Sequence, residues 1–367
     1  MKWSLKIGRF AGIDVFVHWT FTLLLVWIFV AQMSAGGGTL AGLRGVVFIL
    51  ALFGCVVLHE FGHALTARRY GIQTRDITLL PIGGVARLER MPENPRHELL
   101  VALAGPAVNL AIALILFVAL AAWRGLPIRV APQFAHGGFV AQLMIVNVLL
   151  AVFNLIPAFP MDGGRVLRAL LATRVGRRRA THAAANVGQF LAIVFGAAGL
   201  FVWGNPFLVF IAIFVYLGAQ AEAHAVELTT LIHGLQVRDA MQKRFRTLAA
   251  DEPLAHAVDE LLAGSQHDFP VMNDGAVIGM LRRRDLVKAL AEHGRGAAVG
   301  DAMSRDCQPV QAGAPLEKAF EGLQSGGCPA VPVIDEGHLV GVLTTENVSE
   351  LVMVNTALEG HQRAVRV

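Results

Sequence analysis

Residues 45–67 read GVVFILALFGCVVLHEFGHALTA, an apolar run long enough to cross a bilayer that carries His59, Glu60 and His63 near one end. An ionisable side chain in a membrane helix costs about 2.5–3.5 kcal/mol on insertion scales, so three this close together mark a site. His-Glu-x-x-His on a helix places two imidazoles at i and i+4 on one face. There they can bind one zinc ion, with the glutamate beside them to handle protons.

The rest of the composition agrees with a membrane setting. The chain has 367 residues, 55% hydrophobic and 16% charged, with a mean hydropathy of +0.56, which excludes an ordinary soluble protein. Apolar runs fill residues 15–226, whereas 235–367 has the mixed composition of a soluble globule. The expected organisation is a transmembrane domain over 1–226, a linker over 227–236, two repeats over 237–292 and 299–354, and a tail over 355–367. The three cysteines, Cys55, Cys307 and Cys328, are scattered and include no CxxC pair, so neither a disulfide framework nor a cysteine metal site is expected. The formal net charge is +4, but the basic excess sits in short loops between apolar runs. Membrane topology accounts for that placement, and no nucleic-acid partner is expected.

Runs at 15–31, 45–67, 99–123, 139–156, 187–203 and 207–223 give about six spans, the first an uncleaved helix rather than a signal peptide. Arg68, Arg69, Arg75, Arg87, Arg90 and Arg96 lie between the second and third runs, and Arg165, Arg168, Arg174, Arg177, Arg178 and Arg179 between the fourth and fifth. The opposite loops hold only Arg44, Arg124 and Arg129. Both termini then face the cytoplasm, in a multi-pass protein expected in a prokaryotic inner membrane. At 1.5 Å per residue His63 lies roughly 7 Å, and His59 roughly 13 Å, from Arg68 at the cytoplasmic end of its helix.

Between residues 72 and 88, IQTRDITLLPIGGVARL is too short to span, and Pro81 with Gly83 and Gly84 breaks a helix. It reads as two short extended segments at the membrane surface, or as a connecting loop. In the first reading it offers a strand edge that can hydrogen-bond an extended peptide. The AGPAVN stretch puts Asn109 inside the bundle, as packing contact or as chemistry.

A catalytic zinc takes three protein ligands and keeps one open position. The downstream metzincin pattern fails, because Thr66 and Arg69 stand where glycine and histidine are required. Glu89 lies among arginines and reads as a solvated charge. Asp162, at the same membrane depth and held by a segment rich in proline and glycine, is the better third ligand.

HEFGH in one apolar helix, AGPAVN in the next and NLIPAFPMDGG at the end of the one after resemble the site-2 protease family of intramembrane zinc metalloproteases. The resemblance covers roughly residues 1–225. It implies that His59, His63 and Asp162 bind zinc, that Glu60 is the general base, and that Asn154 helps to hold substrate or transition state. It also implies a substrate that is the transmembrane segment of another protein, cut on the cytoplasmic side to release a regulator.

The tail repeats itself. VRDAM at 237 recurs as VGDAM at 299, and the same offset pairs Pro253 with Pro315, Val271 with Val333, and Gly279 with Gly341. Each copy reads as helix, strand, turn, strand and helix, and the pair resembles tandem CBS domains, modules that often bind adenosine nucleotides. The phosphate and ribose contacts of that family are split here, with Arg282 and Asp285 in the first copy and Thr344 and Asn347 in the second. Asp285 and Thr344 are the candidate nucleotide contacts, with homodimerisation or substrate docking as the other roles for the pair. The expected fold is thus an α-helical polytopic membrane protein with a short β segment and a cytoplasmic α/β CBS pair. The expected activity is intramembrane zinc proteolysis modulated by that pair. A CBS-gated ion or solute transporter would also explain intramembrane charges. It leaves the zinc spacing unexplained.

Overall fold

A computed structural model of the chain describes residues 3–88, 92, 94–124, 138–325 and 327–365. The chain forms two compact units, Met1–His224 and Ala225–Val367. The first begins with β1 (Ser4–Phe10), β2 (Ile13–His18), α1 (Thr20–Gln32), α2 (Gly38–Arg68), β3 (Thr74–Leu80) and β4 (Gly83–Leu88). It continues with α3 (Pro95–Arg124), α4 (Phe139–Asn154), α5 (Asp162–Val175), α6 (Arg177–Phe201) and α7 (Pro206–Ile232). Glu89, weighed as a third ligand, lies outside the described residues.

Four stretches among the described residues are long and apolar enough to cross a membrane: Thr20–Arg68, Pro95–Trp123, Arg177–Phe201 and Pro206–Glu227. The difference from the six expected runs has two sources. The first two runs join in one helical stretch, broken where Gly36 takes φ 85° and Gly38 φ 67°. The fourth makes a helix of only 16 residues, α4.

The start of the first span is also corrected. Residues 15–18 are strand, because IDVFVH alternates and buries Ile13 and Val15. β2 pairs antiparallel with β1 and parallel with β3, from Asp14 opposite Asp76 to Val17 opposite Leu79. With β4 antiparallel to β3, the order is β1-β2-β3-β4, and the far side of β4 is a free edge among the described residues. The extended segments expected between 72 and 88 are therefore half of a larger sheet. Ile13 and Ile77 pack on Ala64 of α2, which fixes the sheet beside the helix that carries the histidines.

The second unit contains α8 (Val237–Ala240), β5 (Leu248–Ala249), α9 (Leu254–Ala263), β6 (Phe269–Asn273), β7 (Ala276–Leu281) and α10 (Arg283–His293). The second repeat supplies α11 (Val299–Ala302), β8 (Val310–Gln311), α12 (Leu316–Ser325), β9 (Ala330–Asp335), β10 (His338–Thr344) and α13 (Thr345–Val365). Each repeat forms a three-stranded sheet, β5-β6-β7 and β10-β9-β8. The leading segments are exchanged. Val237 and Ala240 belong to the apolar core of the second repeat, with Leu316, Val333 and Leu343, and Val299 belongs to that of the first, with Leu254, Phe269 and Leu281. Backbone hydrogen bonds follow the exchange, from Gln242 N to Val342 O and from Ser304 N to Met280 O, both 2.8 Å.

Contrary to the cysteine reading, Cys307 and Cys328 form a disulfide with a Cα–Cα distance of 5.7 Å. The reason is topological. Cys307 precedes β8, Cys328 precedes β9, and these strands are parallel neighbours, so both cysteines reach the same end of one sheet.

Candidate active site

The site is assembled from α2, α3, α4 and the start of α5. His59 and His63 stand one turn apart on α2, both buried, as the i, i+4 spacing requires. Asp162 arrives as the first residue of α5, after an irregular segment in which Ala158 N bonds Ile156 O at 2.7 Å and Met161 N bonds Ala158 O at 3.0 Å. A carboxylate at this position also faces the positive end of the helix dipole. His59 Nε2 and His63 Nε2 lie 3.0 Å apart, and each lies 3.2 Å from Asp162 Oδ2.

The proton positions follow from a chain of hydrogen bonds whose direction is fixed at its far end. The Leu143 carbonyl can only accept, so Asn147 Nδ2 donates to it at 2.8 Å and leaves its Oδ1 to accept from Asn109 Nδ2 at 2.9 Å. Asn109 Oδ1 then accepts the Nδ1 proton of His59. His63 gives its Nδ1 proton to the Val101 carbonyl at 2.7 Å. In the neutral imidazoles both Nε2 atoms are thereby left as acceptors, and with Asp162 Oδ2 they make three converging ligand atoms. Such a trio is repulsive without a cation at its centre.

The geometry fits zinc. Tetrahedral coordination with bonds of 2.0–2.1 Å separates ligand atoms by about 3.3 Å, close to the distances seen. Gly105 of α3 leaves the room, since a Cβ there would lie 2.2 Å from His63 Nε2 and 2.6 Å from His59 Nε2. Glu60 follows His59 on α2 and is covered by β4, where a Cβ on Gly84 would meet Glu60 Cγ at 2.9 Å and Oε1 at 3.4 Å. The general-base candidate thus lies between the imidazoles and the edge strand.

Other expected residues fall elsewhere. Asn154 ends α4, half-buried, and opens the segment leading to Asp162, but neither imidazole hydrogen-bonds to it among the described residues. The amides that do serve the site are Asn109, which the sequence left between packing and chemistry, and Asn147, which it did not single out. Its only signal is a lone amide in an apolar helix, completely buried in the structure.

In the tail, Thr344 lines a cleft of about 530 Å³ with Asp268, Arg282, Arg283 and Asn347. Asp285 lines a second cleft, of about 360 Å³, with Lys288, Asp301, Arg305 and Asp306. Arg282 borders both and is ion-paired with Asp285, while Thr344 Oγ1 donates to Asn347 Oδ1 at 2.9 Å.

Comparison with known proteins gives two families. Peptidase family M50 matches residues 47–137 and 127–195, and the CBS domain matches residues 237–292 and 299–353. The chain is 35% identical over 281 residues to zinc metalloprotease MJ0392 of Methanocaldococcus jannaschii, covering 77% of this chain and 78% of that one. It is 31% identical over 377 residues to Rip3 of Mycobacterium tuberculosis, covering 96% and 94%. Among solved structures, the site-2 protease from Methanocaldococcus jannaschii matches with a TM-score of 0.45 at 35% identity, over 60% of this chain and 95% of that one.

Proposed function

The chain belongs to peptidase family M50, the site-2 type of zinc metalloprotease, with a tandem CBS pair; from that premise we propose that it hydrolyses a peptide bond in or near the transmembrane segment of another membrane protein, on the cytoplasmic side. The observation that carries this reading is the convergence of three acceptor atoms, from His59, His63 and Asp162, beside a glutamate and under an edge strand.

In this reading His59 Nε2, His63 Nε2 and Asp162 Oδ2 hold one zinc ion. When bound, the ion brings the pKa of a coordinated water to about 7 and polarises the scissile carbonyl. Glu60 takes the water proton on its carboxylate and returns it to the departing amine nitrogen. Asn109 and the Val101 carbonyl keep the imidazoles in the Nδ1-protonated tautomer that leaves Nε2 free. The substrate has to leave helical form, because a helical carbonyl is already hydrogen-bonded and shielded. The edge of β4 left unpaired among the described residues can receive the extended segment by strand addition, over Glu60. Asn154, at the mouth of the segment leading to Asp162, is assigned to supporting substrate or transition state.

The basic loops support cytoplasmic termini and a site in the inner half of the bilayer. The CBS pair is assigned a regulatory role through an adenosine nucleotide. Its phosphates would be met by Arg282 and Arg283 in the larger cleft, beside Thr344; Asp285, already paired with Arg282, would be freed only if that ion pair opens. Pairing of two chains through the CBS units is the second role assigned to them.

Glu60→Gln separates a protease from the competing transporter. The purified variant should retain about one zinc per chain, as measured by metal analysis, and lose cleavage of a transmembrane substrate. Cleavage at the parent rate would remove Glu60 from the mechanism. A parent protein that binds no zinc would remove the protease assignment of this site.

A further inference from the structure

Arg168, six residues beyond Asp162 on α5, is completely buried. Its Nε donates to Glu98 Oε1 of α3 at 2.6 Å, with Nη2 2.5 Å from the same oxygen. Its Nη1 donates to Glu222 Oε1 of α7 at 2.6 Å. The guanidinium also lies 5.1 Å from the ring centre of Phe159, a buried residue of the segment that delivers Asp162. None of these groups touches the three acceptors or Glu60, and the mechanism leaves them unused.

Stability alone is a poor reason for this cluster. Taking an ion pair out of water offsets most of its attraction, and well-packed apolar residues commonly do as well. What a planar, five-donor guanidinium adds is geometry, since it fixes the relative position of several acceptors at once. Here Glu98 stands on α3, which must keep register with α5 for a metal site, and Glu222 anchors the same guanidinium to α7. Glu98 is three residues before Val101, whose carbonyl orients His63, and seven before Gly105, which leaves room for the ion. Arg168 and Phe159 lie on either side of Asp162 in the chain. The histidine-orienting helix and the aspartate-bearing helix are therefore tied at one guanidinium.

We infer that Arg168 is a positioning residue of the metal centre: through Glu98 and Glu222 it sets Asp162 at bonding distance from an ion held by His59 and His63. This rests on the zinc assignment above. Lysine carries the same charge but lacks the fork, so Arg168→Lys leaves the charge of the cluster unchanged and loses the register.

The test measures zinc affinity by chelator competition on full-length apoprotein in detergent, alongside thermal unfolding of the apo form. Asp162→Ala is the reference for loss of the third ligand. Arg168→Lys should weaken zinc binding about 10- to 100-fold, the range for loss of groups that orient metal ligands, with the apo melting temperature within a few degrees of the parent. In the zinc-loaded enzyme kcat should fall while KM for substrate holds. Glu98→Gln should give a loss of zinc affinity in the same direction and serves as the deciding variant if Arg168→Lys does not fold. Affinity within twofold of the parent in the folded variants overturns the inference while Asp162→Ala still weakens binding. If Asp162→Ala itself binds zinc like the parent, the zinc assignment fails instead.

Discussion

Gly105→Ala tests the metal centre with a single methyl group. The added Cβ would stand 2.2 Å from His63 Nε2, 2.6 Å from His63 Cε1 and 2.6 Å from His59 Nε2. Ordinary contact begins near 3.5 Å, so the His63 ring has to withdraw by roughly 1 Å or the helices have to part. Withdrawal is opposed on the other side of each ring, where Nδ1 is held by Val101 O and by Asn109 Oδ1. A zinc site tolerates about 0.2 Å in ligand distance, several times less than the methyl demands. The methyl also occupies space between the two nitrogens that the ion needs. Zinc affinity should fall by at least about 100-fold, comparable with losing a ligand, or about 2.7 kcal/mol. The assay is chelator competition on the purified apoprotein, with far-UV circular dichroism to confirm that the helices remain. A folded Gly105→Ala protein that binds zinc within threefold of the parent would refute the reading of this cleft as the ion's position.

Three further outcomes follow from neighbouring geometry. Asn109→Leu removes the acceptor for His59 Nδ1 and strands Asn147 Oδ1 in the bundle; zinc affinity should drop about 10- to 100-fold, and an unchanged chelator titration would count against the tautomer assignment. Gly84→Val pushes β4 away from Glu60. Zinc content should stay at the parent level while cleavage of a transmembrane substrate falls at least tenfold, and parent-rate cleavage would show that the strand is not seated over the base during turnover. Burial lifts the Asp268 carboxyl above its usual range, so the folded state holds that proton more tightly than the unfolded state. Its contribution to stability is therefore full below the ordinary carboxylate value and is lost as pH rises through the folded value. Asn at this position keeps an oxygen to accept the Arg283 N–H, bonded at 3.0 Å in the parent. The melting temperature of the parent, taken relative to Asp268→Asn, should decline as pH rises above the ordinary carboxylate value of about 4; parallel curves would discard the effect.

The parts of this protein that were legible in the sequence are those whose signal is local. His59, Glu60 and His63 lie within one helical turn or so, and the tail announces itself by repetition. Asp162 could be read because proline and glycine around it hold the backbone out of regular helix. What was not legible depends on partners far away in the chain. β2 buries an alternating face, but its parallel partner β3 begins at Thr74, and its apolar residues run directly into those of α1. The four-stranded sheet was thus read as half a sheet and part of a helix. Asn147 is one amide in an apolar helix, and only Asn109, on α3, gives it a role. Glu98 and Glu222 carry no local signal, and only the fold brings them together at Arg168. The Cys307–Cys328 bond needed the parallel placement of β8 beside β9, which no cysteine spacing encodes.

The exchanged leading segments of the tail set an order of events during synthesis. Val237 and Ala240 leave the ribosome before the first repeat, yet the core they fill is completed by residues as late as Val352. At 5–20 residues per second that is a wait of roughly 5–25 s. The first repeat in turn stays open until Val299 emerges. The nascent tail therefore displays unfilled apolar surface until both repeats are made, and neither half can be released from that state alone. A chain cut after residue 292 would lack the segment that closes its remaining repeat, so a premature stop there yields an aggregation-prone stump instead of a smaller folded domain.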